Sequence, residues 1–229
     1  MLDQKNTFIF QSTLLFFSLL ILMVVFPIGG SIDMKLIAPW MTSSGQFYLT
    51  ENWYLAKLSH SYLKTLIITF YSVIFFAWLG SFKFQYLKAR RFEFGFLFFV
   101  SMLCTISIGI LKAHSPHACP WNMTIPTNAG FIWDFSSKEG HCFPGGHASS
   151  GFALITGYFA YKFSHSKIAH LYLSIGIILG FAMGWTQMMR GAHFLSHNLW
   201  TLWIVFFINI IASKVLQTLH LQHLTKEKV

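Results

Sequence analysis

Long charge-free apolar runs alternate along this chain with short segments that carry its charge. Six stretches hold no Asp, Glu, Lys or Arg over a bilayer's length: 6–32, 65–82, 94–111, 140–161, 168–189 and 191–213. A helix needs about 20 mainly apolar residues to cross the hydrocarbon core, roughly 17–25 in practice, so each run predicts a transmembrane helix. A seventh charge-free run, 113–133, contains His114, Pro116, His117, Pro120, Asn122, Pro126 and Asn128. Its prolines and polar groups would leave backbone groups unsatisfied in lipid, and it reads as a loop. The stretch 36–50 is short and polar in its second half, so it is a loop or a helix lying at the interface. The apolar part of the first run, from Phe8 to Gly30, is much longer than the apolar core of a signal peptide, roughly 7–15 residues, and no convincing cleavage site follows it. It is expected to remain as a spanning helix.

The predicted fold is all-α: a polytopic membrane protein of six transmembrane helices, a single domain over 1–229, with loops at 31–64 and 113–146 on one face. Six spans put both termini on the same side. The segments on that side carry 10 Lys and Arg, in Lys5, Lys83, Lys88, Arg90, Arg91, Lys162, Lys167, Lys214, Lys226 and Lys228, against 6 on the other. Positive-inside bias therefore places both termini in the cytoplasm and the two long loops outside. Composition agrees with a lipid environment: 55% of the 229 residues are hydrophobic and 10% charged, where a soluble domain carries about a quarter charged. The 26 Phe and 8 Trp exclude a disordered chain. The net charge of +9 is divided among short loops, which suits anionic membrane lipids and not nucleic acid.

Three cysteines are too few for a disulfide scaffold. Cys104 falls mid-span and reads as packing. Cys119 and Cys142 share the loop 113–146 on the oxidising side and form a disulfide candidate. That loop leads into the densest chemistry of the chain. Lys112 ends the third run, Pro144, Gly145, Gly146 and His147 open the fourth, and Arg190 and His193 to His197 join the last two. Topology alone brings these to one face. Cations held near a bilayer usually have an anionic partner, and this face offers only Asp33, Glu51, Asp134 and Glu139. A phosphate ligand fits. Glycines ahead of a helix let backbone amides approach an anion, with His147 as proton donor and His193 as nucleophile toward phosphorus. Lys112, Arg190 and the amides would stabilise charge on the transferring group. Taken singly, Lys112 is also a snorkelling lysine, Ser149 and Ser150 are small residues for helix packing, and the tryptophans are interfacial or packing aromatics.

With these residues in view, the chain resembles the type 2 phosphatidic acid phosphatase superfamily, whose motifs are K-x6-R-P, P-S-G-H and S-R-x5-H-x3-D on a six-helix core. The first motif matches as Lys112 followed by Cys119 and Pro120, with Cys in place of Arg. The second matches as Pro144, Gly145, Gly146 and His147, with Gly145 in place of Ser. In the third, Gly191, Ala192, His193 and Phe194 align with a G-x-H-[YF] stretch. His193 is then the nucleophile, His197 stands where the family has its orienting Asp, Gln187 occupies the Arg position, and Arg190 is displaced three residues along. A second register, with His197 as nucleophile, is off by one from the expected spacing.

The resemblance implies metal-independent phosphoryl transfer to His193 without a cofactor, with His147 as general acid and then as base. Implied substrates are lipid phosphates or pyrophosphates, of the lipid A, undecaprenyl pyrophosphate or phosphatidylglycerol phosphate class. The implied location is the bacterial inner membrane, with the site facing the periplasm. Three other readings stay open: a lipid phosphotransferase on the same residues, a non-catalytic lipid transporter or binding protein, and a metal enzyme using His193 and His197, whose spacing of four places both rings on one helix face.

Overall fold

The structure, a computed structural model, describes the backbone of residues 2–226 and the side chains of 6–57 and 62–216. Of the basic residues counted for the cytoplasmic face, Lys228 lies outside the described residues, as do the side chains of Lys5 and Lys226. The chain is 71% helical. In order it forms α1 (Leu2–Val25), α2 (Ser31–Ile37), α3 (Leu63–Gly80), α4 (Gln85–Lys88), α5 (Arg91–Ala113), α6 (Gly146–Phe152), α7 (Thr156–Tyr161), α8 (Ser166–Met189) and α9 (Leu195–Lys226). A π-helical stretch, Tyr54–Tyr62, runs into α3. The loop 113–133 is not wholly irregular: β1 (Thr124–Thr127) and β2 (Gly130–Trp133) pair antiparallel, with Thr124 opposite Trp133 and Thr127 opposite Gly130.

Five helices, α1, α3, α5, α8 and α9, are long and apolar enough to cross a membrane. The expected fourth span, 140–161, falls short. Its first six residues are loop, with Gly140 at φ 112° and His141 at φ 43°, and the helix begins only at Gly146. A 3₁₀ turn at Ala153–Ile155 separates α6 from α7, and α5 takes up the altered hydrogen bonding there: Ser101 Oγ donates to the Ala153 carbonyl at 3.0 Å. Together α6, the turn and α7 cover about 25 Å. Absence of charge marked an apolar run correctly, but it could not separate a buried loop from a helix, because neighbouring elements satisfy the loop's backbone. The first run is similarly divided: α1 stops at Val25, and the residues after Gly30 form α2.

Small residues set the closest helix crossings. A Cβ added at Gly151 of α6 would lie 2.5 Å from the Gly180 nitrogen and 2.7 Å from its Cα, so the two backbones touch. Gly180 and Gly157 in turn accommodate the Phe152 and Tyr172 rings, and Gly176 faces Ile155. Gly176, Gly180 and Gly184 place a small residue at every fourth position along α8, a pattern that lets helices approach in lipid. The main core spans α3, α5, α6, α7, α8 and α9, with Phe152, Ile155, Ile108 and Val205 fully buried.

At the end of the bundle where α5 stops and α6 and α9 start, a second core forms. Ile37, Phe47, Ala118, Met123 and Phe194 pack there with Trp40, Trp121 and Trp133 around them. The segments 31–64 and 113–146 thus pack on each other and on the start of α9. Asp33 of α2 holds the junction. It is buried, accepts from the Ser196 amide at 3.0 Å and from the Ser196 hydroxyl, and receives the Gly29 amide at 3.0 Å. A carboxylate at a helix N-terminus meets unpaired amides and favourable helix potential, so Asp33 fixes where α9 begins.

Candidate active site

The chain from Gly191 to His197 is shaped by three contacts. Gly191 has φ 79° and its Cα faces the Phe47 ring, so a side chain there meets both strain and a clash. The Trp121 amide donates to the Gly191 carbonyl at 3.0 Å, and the Ala192 amide donates to the Gln187 carbonyl at 2.9 Å. The result turns His193 inward, 1% exposed, two residues before α9. His197 lies in the first turn of α9, fully buried, with its ring centroid 5.7 Å from that of His193. His147, in the first turn of α6 and half-buried, has its ring 6.2 Å from His193.

Lys112, at the end of α5, completes the group. Its stem passes over Gly146, where an added Cβ would sit 3.2 Å from Cδ, and its amine donates to the His141 carbonyl at 2.7 Å. Gly146 thus leaves the lysine room to cross closely over the start of α6. Gly145 has a different use from the expected anion nest: its amide donates to the His197 carbonyl at 3.1 Å, and its carbonyl accepts from Thr201 at 3.1 Å. A Cβ at Gly145 would also strike Asn198. This glycine joins α6 to α9.

Arg190 is not brought against the rings. Its Nε donates to the Thr50 carbonyl at 2.9 Å and its Nη1 to Gln187 Oε1 at 3.4 Å, while Thr50 returns a hydrogen bond to the Arg190 carbonyl at 3.2 Å. Arg190 and the buried Gln187 form a brace to the segment before α3. The expected orienting bond from His197 to His193 is likewise not made: His193 Nδ1 and both His197 nitrogens are buried without an aligned partner. Buried polar atoms left so are rare in folded proteins and concentrate at functional places.

Cys119 and Cys142 are joined as a disulfide, with Cα atoms 5.0 Å apart. The bridge, together with the hydrogen bond from the Cys142 amide to the His117 carbonyl at 2.8 Å, fixes the strand of loop before Pro144. The Cys142 carbonyl then faces both the His193 and His197 rings. Sequence reasoning could not find this group, because a backbone carbonyl has no residue signature. It also missed Asp33 and Thr50 as supports. His117 comes within 6.5 Å of His197, centroid to centroid, and Phe143 packs against both rings.

Burial pushes His193 well below its ordinary imidazole range; repulsion from His197, Lys112 and His147 adds to this, and the Cys142 carbonyl opposes it. The ring is therefore neutral at pH 7, the form that carries a nucleophilic lone pair. The sign follows from linkage: the unfolded chain takes this proton near pH 6.5 and the folded chain does not, so the associated stability is complete above pH 6.5 and is lost as pH falls toward the folded value. Histidine-labelled NMR of the micellar protein, compared with His193→Gln, should show a ring still neutral at pH 6.5. A midpoint at or above 6.5 would contradict this electrostatic picture.

The sequence model of the PAP2 superfamily matches residues 92–220, more than half of the chain. The chain belongs to the PAP2 superfamily. The match covers α5 to α9 and so includes Lys112, His147, His193 and His197, which the fold brings to one end of the bundle. PAP2 members are phosphatases, and a cluster of amine and imidazoles is suited to a phosphate ester. No curated protein and no solved structure matches the chain. Among the described residues, no three His, Cys, Asp or Glu side chains are arranged to hold a metal ion.

Proposed function

We propose that this PAP2 protein is an integral-membrane lipid phosphatase. It removes a phosphate from a lipid phosphate or pyrophosphate through a phosphohistidine on His193. One observation carries the reading: the His147 and His197 rings lie 6.2 and 5.7 Å from the His193 ring, centroid to centroid, and with Lys112 they repel a proton on it while no carboxylate attracts one. Three groups able to bear positive charge, gathered without an acid, favour a bound anion over an internal ion pair.

The chemistry balances as two in-line displacements. A ring nitrogen of His193 forms the P–N bond while the P–O bond to the lipid breaks, and His147 gives its proton to the departing oxygen. Water then attacks phosphorus, the P–N bond breaks, and His147 takes the proton from water. Lys112 lies where charge builds on the transferring group. Arg190 enters only as a brace, through Thr50 and Gln187. In this proposal α6 and α7 supply the sixth membrane crossing, both termini are cytoplasmic, and the site opens at the periplasmic face of a bacterial inner membrane. The basic-residue asymmetry and the antiparallel run of α6 and α7 beside α8 support that orientation.

Purified protein in EDTA, given a panel of lipid phosphates and pyrophosphates, should release inorganic phosphate from at least one. Activity lost to chelator and restored by zinc would instead favour metal chemistry. Lipid binding without turnover on any member of the panel would favour the transporter reading.

A further inference from the structure

Residues 139–145 pass the buried histidines as an irregular strap, and this strap is fastened repeatedly to residues 115–119. The Cys119 amide donates to the Glu139 carbonyl at 3.2 Å, and the Cys142 amide donates to the His117 carbonyl at 2.8 Å. The His141 ring donates through Nδ1 to the Ser115 carbonyl at 2.7 Å. The disulfide joins the same two segments, with both cysteines buried. Between these ties His141 holds φ 43°, a backbone conformation that residues with a side chain adopt sparingly. The path of the strap is therefore imposed from the neighbouring segment and not chosen locally.

What the strap delivers is a backbone oxygen. The Cys142 carbonyl faces the His193 and His197 rings, and among the described residues it is the group at His193 that favours a charged ring, against His197, Lys112 and His147. A neutral imidazole that attacks phosphorus through one nitrogen becomes cationic as the P–N bond forms, and the N–H on its other nitrogen then needs an acceptor. A carboxylate would accept it strongly but would also repel an incoming phosphate at short range. A carbonyl accepts the same N–H without adding negative charge. Its position is set by the main chain alone, so whatever fixes the strap fixes the acceptor.

We propose that Cys119 and Cys142 are positioning residues for catalysis: their bridge holds the Cys142 carbonyl where it accepts the ring N–H of His193 during phosphoryl transfer, in the place of an orienting carboxylate. The inference rests on the phosphohistidine reading of His193. No proton changes hands in this step. The P–N bond forms and later breaks at one ring nitrogen, while the proton stays on the other, and the ring is neutral again once phosphate leaves. His141 assists through its tie to Ser115.

Two anions test this in the full chain in detergent: orthovanadate, which bonds to an attacking nitrogen and resembles the transferring group, and inorganic phosphate, which does not. Cys119→Ala with Cys142→Ala keeps the carbonyl and removes only its anchor. Vanadate affinity should fall about 10- to 100-fold, the effect of losing one hydrogen bond to a charged group, while phosphate affinity stays within about threefold, because only the adduct places charge on the ring. In histidine-labelled NMR of the vanadate-loaded native protein, the His193 ring N–H should exchange slowly with water, and the double variant should lose that protection. His141→Asn, with the bridge intact and a residue type that tolerates the left-handed backbone, should show the same split in smaller measure, and it carries the test if the double variant does not fold. Equal loss of both anions would make the bridge a structural support only, and unchanged vanadate affinity in the variants would deny the carbonyl its role; either overturns the proposal. Native protein that binds vanadate without a bond to His193 would instead overturn the phosphohistidine reading, and this inference with it.

Discussion

Replacing His193 by alanine is expected to reduce phosphate release at least about a thousandfold, because the proposed reaction then lacks the atom that accepts the phosphoryl group. The variant should still fold and bind substrate. His193 makes no aligned hydrogen bond through Nδ1, and its removal relieves repulsion among His147, His197 and Lys112 instead of breaking a support. His147→Ala should cost less, about 10²–10⁴ for a general acid and base, and should slow the second displacement as well as the first. His197→Ala separates the two registers of the third motif. If His193 is the nucleophile, loss of His197 leaves measurable turnover; if turnover vanishes there and survives in His193→Ala, the assignment reverses.

The largest structural effect is expected at Gly151. A valine there would place its Cβ 2.5 Å from the Gly180 nitrogen, against α8 backbone that cannot rotate aside like a side chain. Relief requires α6 to separate from α8, which moves Gly145 and His147 relative to His193. The destabilisation should reach or exceed the upper end of ordinary overpacking, about 3 kcal/mol, and activity should fall with it. Gly109 provides the contrast, since an added Cβ there, near the C-terminal end of α5, meets nothing within 4 Å. Gly109→Ala should be neutral or stabilising by up to about 1 kcal/mol. Thermal unfolding in detergent compares the pair, and equal melting temperatures would show that the α6–α8 contact does not hold the bundle together.

The long helices were legible because five of the six apolar runs correspond to helices that lipid can solvate. The fourth was not, because residues 140–145 carry no Asp, Glu, Lys or Arg yet are held as loop by bonds to the His117 and His197 carbonyls, partners remote in sequence. In the candidate site, Lys112, His147, His193 and His197 were readable from type, spacing and the side of the membrane each run would reach. The supports were not. Nothing local to Asp33 marks it as the residue that holds the start of α9, and nothing local to Arg190 says that its guanidinium turns to Thr50. Both depend on where two outer segments pack, and that is decided by Phe47, Met123 and Phe194 in a core of their own. Gly145 and Gly146 were read as one anion nest, whereas each borders a different neighbour, Gly145 the buried Asn198 and Gly146 the stem of Lys112.

The most direct test is to trap the covalent intermediate. A lipid phosphate carrying radioactive phosphorus is mixed with the enzyme, quenched in alkali, where a phosphoramidate survives, and the labelled peptide is mapped. The account predicts label on His193, more of it in His147→Ala than in wild type, and none in His193→Ala. Label on His197, or full turnover by wild type with no labelled histidine at any time, would contradict it.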